Sequence, residues 1–292
     1  MADKYSAVWV SHSSMGDFIK CPRAYYLHNV YKDPKSRRKI GIVSPAMSLG
    51  TAVHEVVEGL GSYKVQERLQ RFNNPEELYA KFDEEWKKIS GKIGGFTSTE
   101  HEAEMKARGR AMIERVIAHP GPLVEKTVKF GSDNPSDMLP HYFLSEEENI
   151  ILCGKIDWLI YKPESDSLHV LDFKTGKNEE KGDSLQLPIY QLLLHKLQKR
   201  KVTGASYWYL DKDDAPVEMP LPDLARSLTS VLAVAREVKK ARDQAKNFSP
   251  EMAFRCPKGP DGCATCTPFE KIIRGEAEYV GVGGYNQDLY IA

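Results

Sequence analysis

Two short apolar stretches near the middle of the chain each carry an aspartate, and this pair constrains the fold more than any other feature. The stretches are Lys155 to Ile160 and Leu168 to Thr175, and both have the composition of β-strands. Strands disfavour aspartate, and a buried carboxylate is costly without a partner. We therefore expect the strands that carry Asp157 and Asp172 to be neighbours. Lys174, two residues after Asp172 and so on the same face of its strand, would share a polar pocket with both carboxylates.

Two interpretations of this pocket are open from these residues alone. A structural salt bridge would explain the charges without any ligand. A hard cation would explain them as well, because carboxylate oxygens are its preferred ligands and a lysine beside it can act on a water or a phosphate. Two further features favour the cation. His54 lies on a predicted helix and follows small residues, and Gln186 and Tyr190 are spaced i, i+4 on one helix face.

The charge balance gives no sign of a nucleic-acid ligand by itself. Lys and Arg number 41, as do Asp and Glu, so the formal net charge is zero, whereas a nucleic-acid-binding domain is typically basic. Hydrophobic residues make up 41% of the 292 residues, enough for a sizeable core. No apolar stretch approaches about 18 residues, and the first residues lack the apolar core of a signal peptide. We expect a cytoplasmic protein that does not enter a membrane.

The apolar periodicity predicts a mixed sheet with helices packed on it. Helices are predicted over 8–31, 46–62, 75–90, 99–118, 184–200 and 222–247, with a loop over 32–45. Strands are predicted over 124–130, 141–144, 149–160, 167–173, 203–210 and 216–219, with a hairpin turn at 163–166. We expect one domain over residues 1–292, with a helical insertion at 63–122 and a C-terminal cysteine segment at 248–292.

The five cysteines indicate a metal site more than disulfides, because their number is odd and the expected location is cytosolic. Cys153 lies in an apolar run and is predicted to be a small core residue. Cys21 stands alone, whereas Cys256, Cys263 and Cys266 follow the spacing C-x6-C-x2-C. Spacing alone favours tetrahedral zinc over an iron–sulfur cluster or free thiols. Either metal would connect the two ends of the chain and reduce unfolded-state entropy as a long disulfide loop does.

Taken in chain order, these motifs resemble the RecB-type nucleases of the PD-(D/E)XK superfamily. The motifs that carry the resemblance are Ser13-Ser14-Met15 with Phe18, Cys21-Pro22 and Tyr25-Tyr26; Gly50 with His54; Gly154-Lys155-Ile156-Asp157; Leu171 to Gly176; and Gln186-x3-Tyr190. Each is short, but their order along most of the chain is specific. One early cysteine with three late ones resembles the iron–sulfur members, which include the AddB nuclease domain and the CRISPR-associated RecB-like exonucleases.

The resemblance implies an α/β fold with a restriction-endonuclease-like core, in which helices flank a mixed sheet and a cysteine-bound cluster joins the termini. It implies that Mg²⁺ or Mn²⁺ is bound by His54, Asp157, Asp172 and the backbone carbonyl of Phe173. Lys174 would orient or activate the attacking water and offset charge in the transition state.

The resemblance also implies roles for the remaining motifs. Gln186 and Tyr190 would position the DNA backbone or brace the active site. A [4Fe–4S] cluster would be held by the four grouped cysteines, with structural Zn²⁺ as the alternative; they are Cys21, Cys256, Cys263 and Cys266. Glu125 falls where the family often has an acidic residue, and both a supporting role and an exposed position on a strand stay open.

Two departures from the family's pattern matter. The late cysteines of the family usually begin with C-x2-C, whereas here the longer gap, Cys256 to Cys263, comes first. The segment 63–122 is long for the compact CRISPR-associated members, so the sequence does not assign a subfamily.

The activity implied is metal-dependent hydrolysis of DNA by a single-strand-preferring exonuclease of recombination, repair or CRISPR adaptation. The substrate would be single-stranded DNA or DNA with free ends, and the partner a helicase or a CRISPR adaptation complex. Any motor must come from a partner, because the chain has no G-x4-G-K-[S/T] motif.

Two other classes of function stay open. A catalytically silent DNA-binding or scaffold module would need none of His54, Asp157, Asp172 and Lys174. An iron–sulfur electron-transfer protein would leave the Asp-x-Lys motif unexplained.

Overall fold

The computed structural model describes residues 2–131 and 138–292. The helices are α1 His12–Lys20, α2 Pro22–Tyr25, α3 Pro45–Gly59, α4 Val65–Asn73, α5 Glu76–Lys88, α6 Thr99–Ala118, α7 Gln186–Leu197, α8 Leu224–Asn247, α9 Pro250–Ala253 and α10 Thr267–Ile273. The strands are β1 Val8–Val10, β2 Lys39–Ile42, β3 His141–Ser145, β4 Ile150–Cys153, β5 Trp158–Lys162, β6 Ser167–Lys174, β7 Lys201–Tyr209, β8 Val217–Met219, β9 Glu278–Gly283 and β10 Gln287–Ile291.

The described residues divide into two units. The expectation of one domain over 1–292 stays a prediction.

The larger unit, drawn from Ser44–Pro140 and Gly154–Leu224, contains a mixed sheet with strand order β5-β6-β7-β8. β5 and β6 are antiparallel, with Trp158 opposite Leu171, and β7 and β8 are also antiparallel. β6 and β7 are parallel. A parallel pair needs a crossover connection, and α7 provides it.

The two faces of β6 have different neighbours because side chains alternate along a strand. Leu171 and Phe173 are buried in a core with apolar residues of α3, α5 and α6, among them Val53, Phe82 and Met112. Asp172 lies on the opposite face, where α7 contributes its hydrogen-bond partners. The predicted insertion 63–122 holds α4, α5 and α6, and the last two pack against α3.

The local sequence explains why α3 forms where it does. Ser44 caps the helix by accepting a hydrogen bond from the backbone N–H of Met47 at 3.4 Å, and Pro45 occupies the first turn, where its missing N–H costs little. Apolar residues at helical spacing, from Leu49 to Val57, are buried against the sheet and the neighbouring helices. The helix predicted over 46–62 is thereby confirmed.

The second unit, drawn from Met1–Val43, His141–Cys153 and Ala225–Ala292, contains two three-stranded sheets. In the first, β4 lies between β1, which is parallel to it, and β3, which is antiparallel. In the second, β10 lies between the parallel strand β2 and the antiparallel strand β9. A small core of this unit includes Cys21 and Cys266.

Several predicted elements are wrong in their bounds. The helix predicted over 8–31 begins only at His12, after Ser11 caps it, because Val8–Val10 pairs with β4; its last turn, Tyr26–Val30, is a π-helix. The loop predicted over 32–45 contains β2. The strand predicted over 149–160 is two strands, and Asp157 lies in the break before β5. The predicted strand 124–130 is reduced to one bridge, Thr127 to Ile160.

Candidate active site

The β5–β6 register brings the two aspartates together. Trp158 pairs with Leu171 in this antiparallel ladder. Asp157, one residue before Trp158, therefore lies opposite Asp172, one residue after Leu171. The backbone N–H of Phe173 donates a hydrogen bond to Asp157 Oδ2 at 3.0 Å. This bond fixes the Asp157 side chain, although Asp157 itself precedes β5. The expectation of neighbouring aspartates is met by this geometry.

The buried carboxylate of Asp172, 2% exposed, is held by side chains of α7. Its Oδ1 accepts hydrogen bonds from Gln186 Nε2 at 2.7 Å and from the Tyr190 hydroxyl at 2.8 Å. Its Oδ2 lies 2.8 Å from Lys174 Nζ but accepts no hydrogen bond of acceptable geometry. One oxygen is therefore braced, and the other keeps lone pairs for a further ligand.

Lys174 is surrounded by acceptors and by one aromatic ring. Its Nζ donates to Gln186 Oε1 at 2.5 Å, lies 3.3 Å from Glu180 Oε2, and stands 4.7 Å from the centre of the Tyr207 ring. Burial alone would lower the pKa of Lys174, but the negative charges of Asp172 and Glu180 outweigh burial and raise it. Lys174 is therefore an ammonium ion at neutral pH, a donor of hydrogen bonds and positive charge.

His54 comes from α3 to the same place. Its Nδ1 lies 2.7 Å from Glu58 Oε1 and 3.6 Å from Asp157 Oδ2, and the second oxygen of Glu58 lies 2.5 Å from Lys155 Nζ. One ligand atom from each of His54, Glu58 and Asp157 can be chosen so that all lie within 4.8 Å of one another. Burial lowers the pKa of His54, but its hydrogen bond to Glu58 and the charge of Asp157 outweigh burial and raise it.

The electrostatics of this cluster fit a bound cation. Burial, and next the charge of Asp172, raise the pKa of Asp157 to about 8. The charge of Asp172 disfavours the ionised form of Asp157, and a bound cation would relieve that repulsion. Asp157, Asp172 Oδ2 and one imidazole form a donor set suited to Mg²⁺ or Mn²⁺.

Six side chains singled out from the sequence thus meet in one cluster: His54, Asp157, Asp172, Lys174, Gln186 and Tyr190. Glu125 is not among them, because its carboxylate pairs with Lys162 at the opposite end of β5 from Asp157, at 2.5 Å. The metal-binding role of the Phe173 carbonyl stays a prediction.

Glu58 and Glu180 were not predicted from the sequence, and Lys155 was named only as part of the motif that ends at Asp157, without a role. The signal for Glu58 was present, because it follows His54 at i+4, the same spacing that singled out Gln186 and Tyr190. Glu180 lies in the segment between β6 and α7, and no pattern in that segment marks it.

The four grouped cysteines meet in the other unit. Cys21 and Cys266 are fully buried, Cys263 and Cys266 have sulfurs 3.7 Å apart, and all four sulfurs lie within 4.8 Å of one another. Hydrogen bonding from the backbone of Cys266 lowers the pKa of the Cys263 thiol to about 6. Four thiolates this close together could hold a zinc ion or an iron–sulfur cluster.

Cys153 is separate from this group. It is half-buried in β4, so the prediction of a core residue is met only in part, and burial raises the pKa of its thiol to about 11.

Comparison with known proteins adds one finding. The sequence pattern of the PD-(D/E)XK nuclease superfamily matches residues 9–268. No curated protein matches the chain. The matched range includes the cluster around Asp172 and all four grouped cysteines. Within the described residues, no helix is both long enough and apolar enough to cross a membrane.

Proposed function

Because the chain belongs to the PD-(D/E)XK nuclease superfamily, we propose that it is a divalent-metal-dependent deoxyribonuclease. The predicted α/β fold, a mixed sheet flanked by helices, is confirmed, and the superfamily is one of nucleases. The observation that carries the proposal is the position of Lys174 Nζ, 2.8 Å from a carboxylate oxygen of Asp172 that is buried and accepts no hydrogen bond.

His54, Asp157, Asp172 and the carbonyl of Phe173 would hold Mg²⁺ or Mn²⁺. When bound, such an ion polarises a phosphoryl oxygen and lowers the pKa of a bound water. Asp157 and Asp172 supply the negative charge that binds the cation, and the imidazole of His54 completes the donor set. The buried Asp172 Oδ2 supports this assignment, since it is an acceptor without a hydrogen bond.

Lys174 would act on the reacting phosphate and water. As an ammonium ion it can donate a hydrogen bond to the attacking water and offset the negative charge that develops on the phosphate in the transition state. Gln186 and Tyr190 would keep Asp172 in place through its Oδ1, which frees Oδ2 for the cation.

The preference for one kind of DNA is inferred from the resemblance to the RecB-type nucleases. We propose a single-strand-preferring exonuclease that acts on free ends in recombination, repair or CRISPR adaptation, beside a helicase or adaptation complex. The zero net charge means that the positive field for DNA must be local rather than general.

We also propose that Cys21, Cys256, Cys263 and Cys266 bind a metal centre. The resemblance favours a [4Fe–4S] cluster, whereas the short separations between the sulfurs favour one Zn²⁺, because a cluster of four irons is wider than one ion. The role is structural, since the centre would tie Cys21 to a segment more than 200 residues away.

The test is cleavage of labelled DNA by the purified chain with Mn²⁺ or with EDTA. Linear single strands, circular single strands and linear duplexes of one sequence separate nuclease activity from end preference. Asp172→Asn is compared with Asp183→Asn, which changes an exposed aspartate.

We expect cleavage of linear single strands that needs Mn²⁺, persists in Asp183→Asn and is lost in Asp172→Asn. Cleavage in EDTA, or undiminished cleavage by Asp172→Asn, would refute the proposed site. Equal cleavage of circles and linear strands would refute only the exonuclease assignment.

A further inference from the structure

Glu58 lies beside the proposed metal site with both of its carboxylate oxygens already engaged. Oε1 lies 2.7 Å from His54 Nδ1, and Oε2 lies 2.5 Å from Lys155 Nζ. The Glu58 side chain is only 13% exposed, so these partners replace most of its contact with water. A carboxylate held in this way is poorly placed to be a metal ligand itself, because binding would require it to release one partner.

The contact with His54 has a chemical consequence for the imidazole. A carboxylate accepts hydrogen bonds only, so Nδ1 of His54 must carry the proton in this contact. The other ring nitrogen, Nε2, is then the nitrogen whose lone pair can bind a cation. A cation shared with Asp157 requires the ring to turn Nε2 toward Asp157 while Nδ1 stays on Glu58, because Nδ1 is the nitrogen 3.6 Å from Asp157 Oδ2 here. Carboxylates that hold a ligating histidine in this way fix its tautomer and ring orientation and raise its basicity as a ligand.

We infer that Glu58 is a positioning residue for the metal site: it fixes the tautomer and orientation of His54, and Lys155 anchors its carboxylate. The inference rests on the proposed function, because it assigns Glu58 a role only if His54 binds the cation. Lys155 has a weaker effect than Glu58, since its side chain is 61% exposed and its ion pair is screened by water.

The experiment measures Mn²⁺ affinity of the full chain without DNA, by the loss of the free-ion electron paramagnetic resonance signal. The variants are Glu58→Ala, His54→Ala and the double variant. Glu55→Ala is the matched control, because Glu55 is an exposed glutamate on the same helix, next to His54 in sequence. Nitrogen shifts of His54 with Mg²⁺ report its tautomer directly.

We expect Glu58→Ala to weaken Mn²⁺ binding by about 10- to 100-fold, and Glu55→Ala to leave it unchanged. The double variant should bind no more weakly than His54→Ala alone, because Glu58 acts through His54. The nitrogen shifts should show a protonated Nδ1 in the wild type and a mixture of tautomers in Glu58→Ala. If Glu58→Ala does not fold, Glu58→Gln takes its place, with a smaller loss because its amide oxygen still accepts from Nδ1.

Other results would overturn the inference. If Glu58→Ala weakens binding equally with and without His54, Glu58 acts on the ion independently. If His54→Ala weakens binding but Glu58→Ala does not, His54 needs no positioning. If His54→Ala has no effect on Mn²⁺ affinity, the proposed metal site itself is wrong, and the failure lies with the function rather than with Glu58.

Discussion

Asp157 and Asp172 differ in how the fold satisfies them, although both belong to one cluster; Asp172 is buried and Asp157 is partly buried. Asp172 Oδ1 accepts two hydrogen bonds from α7, whereas Asp157 accepts one from the backbone of Phe173 and faces the charge of Asp172. Burial, and next the charge of Asp172, raise the pKa of Asp157 to about 8. Asp157 is therefore the residue at which a proton and a cation compete most directly.

This competition predicts that Mn²⁺ binds more tightly as pH rises. Without metal, Asp157 in the folded chain keeps its proton up to about pH 8. The pKa of His54 is also raised, so its imidazole stays protonated to a higher pH than usual. A cation must displace both protons, so affinity should rise from pH 6 to pH 8 and then level off. Thermal melting with and without Mn²⁺ across this range measures the effect, with Asp157→Asn as the variant that should flatten it. An equal melting shift at pH 6 and pH 8.5 would contradict the assignment.

The raised pKa of Asp157 also predicts how the stability of the metal-free chain depends on pH. An acid whose folded pKa lies above its unfolded value binds more protons when folded, so Asp157 makes stability fall as pH rises from about 4 to about 8. Urea unfolding of wild type and Asp157→Asn, both in EDTA, checks this. The difference in free energy of unfolding should grow in favour of the variant toward pH 8. A constant difference would mean that Asp157 ionises normally.

Most site residues could be predicted from the sequence because they belong to short local patterns. Asp172 and Lys174 share one strand face, and Gln186 and Tyr190 share one helix face. The residues that these side chains contact are far away in the sequence. No local pattern indicates which distant residues will pack together. Glu58 illustrates the limit: its spacing from His54 was visible, but its contact with Lys155 was not.

At the scale of elements, the packing of α3, α5 and α6 depends on a close approach at Gly109. A Cβ added there would lie 2.8 Å from Cζ of Phe82, a buried ring of α5. The helix therefore needs glycine at this position, although glycine is a poor helix former. Gly109 thus lets α6 approach α5 closely in the core on one face of the sheet that carries the site.

We predict that Gly109→Ala destabilises the chain by about 1–3 kcal/mol, because the ring must move in a close-packed core. Gly59→Ala is the control, since nothing lies within 4 Å of its added Cβ and its backbone is helical. That substitution should instead stabilise by about 0.5–1 kcal/mol. Urea unfolding of both variants measures the free energies. Equal effects would show that the contact with Phe82 is not tight.

The elements that the sequence predicted wrongly are those defined by distant partners. Val8–Val10 is short and directly precedes residues with helical periodicity, so the sequence predicts one helix over both. It is a strand because it pairs with β4, which is far away in the sequence. Residues 124–130 have strand-like composition but pair at Thr127 alone. By contrast, α3, α5, α6 and α8 carry long periodic patterns, and their predicted helices are confirmed.

At the scale of the whole molecule, the four grouped cysteines connect residues from both ends of the chain. Cys21 lies between α1 and α2, and Cys266 directly precedes α10, in a core they share with Phe269. A bound metal would close a loop of more than 200 residues. By analogy with a disulfide, closing so long a loop stabilises by roughly 5 kcal/mol through the unfolded state.

We predict that Cys263→Ala loses its bound metal and melts at a lower temperature, whereas Cys153→Ala, outside the group, keeps the metal. Elemental analysis gives the metal content, and iron or zinc in the purified chain decides between the two centres. Visible absorbance that disappears in Cys263→Ala would identify a cluster. Unchanged melting and metal content in Cys263→Ala would contradict the metal centre altogether.

Lys174 is proposed to serve the reaction rather than the fold or the binding of metal, and two measurements on Lys174→Ala test this role. The DNA cleavage rate should fall on the order of 10²–10³-fold, the loss typical of one stabilising donor in a transition state. Mn²⁺ affinity should be undiminished, because removing the ammonium ion frees Asp172 for the cation. Lys87→Ala, which changes an exposed lysine of α5, should match wild type in both. A Lys174→Ala protein that cleaves at the wild-type rate, or that loses Mn²⁺ binding together with cleavage, would contradict a role of Lys174 in the reaction alone.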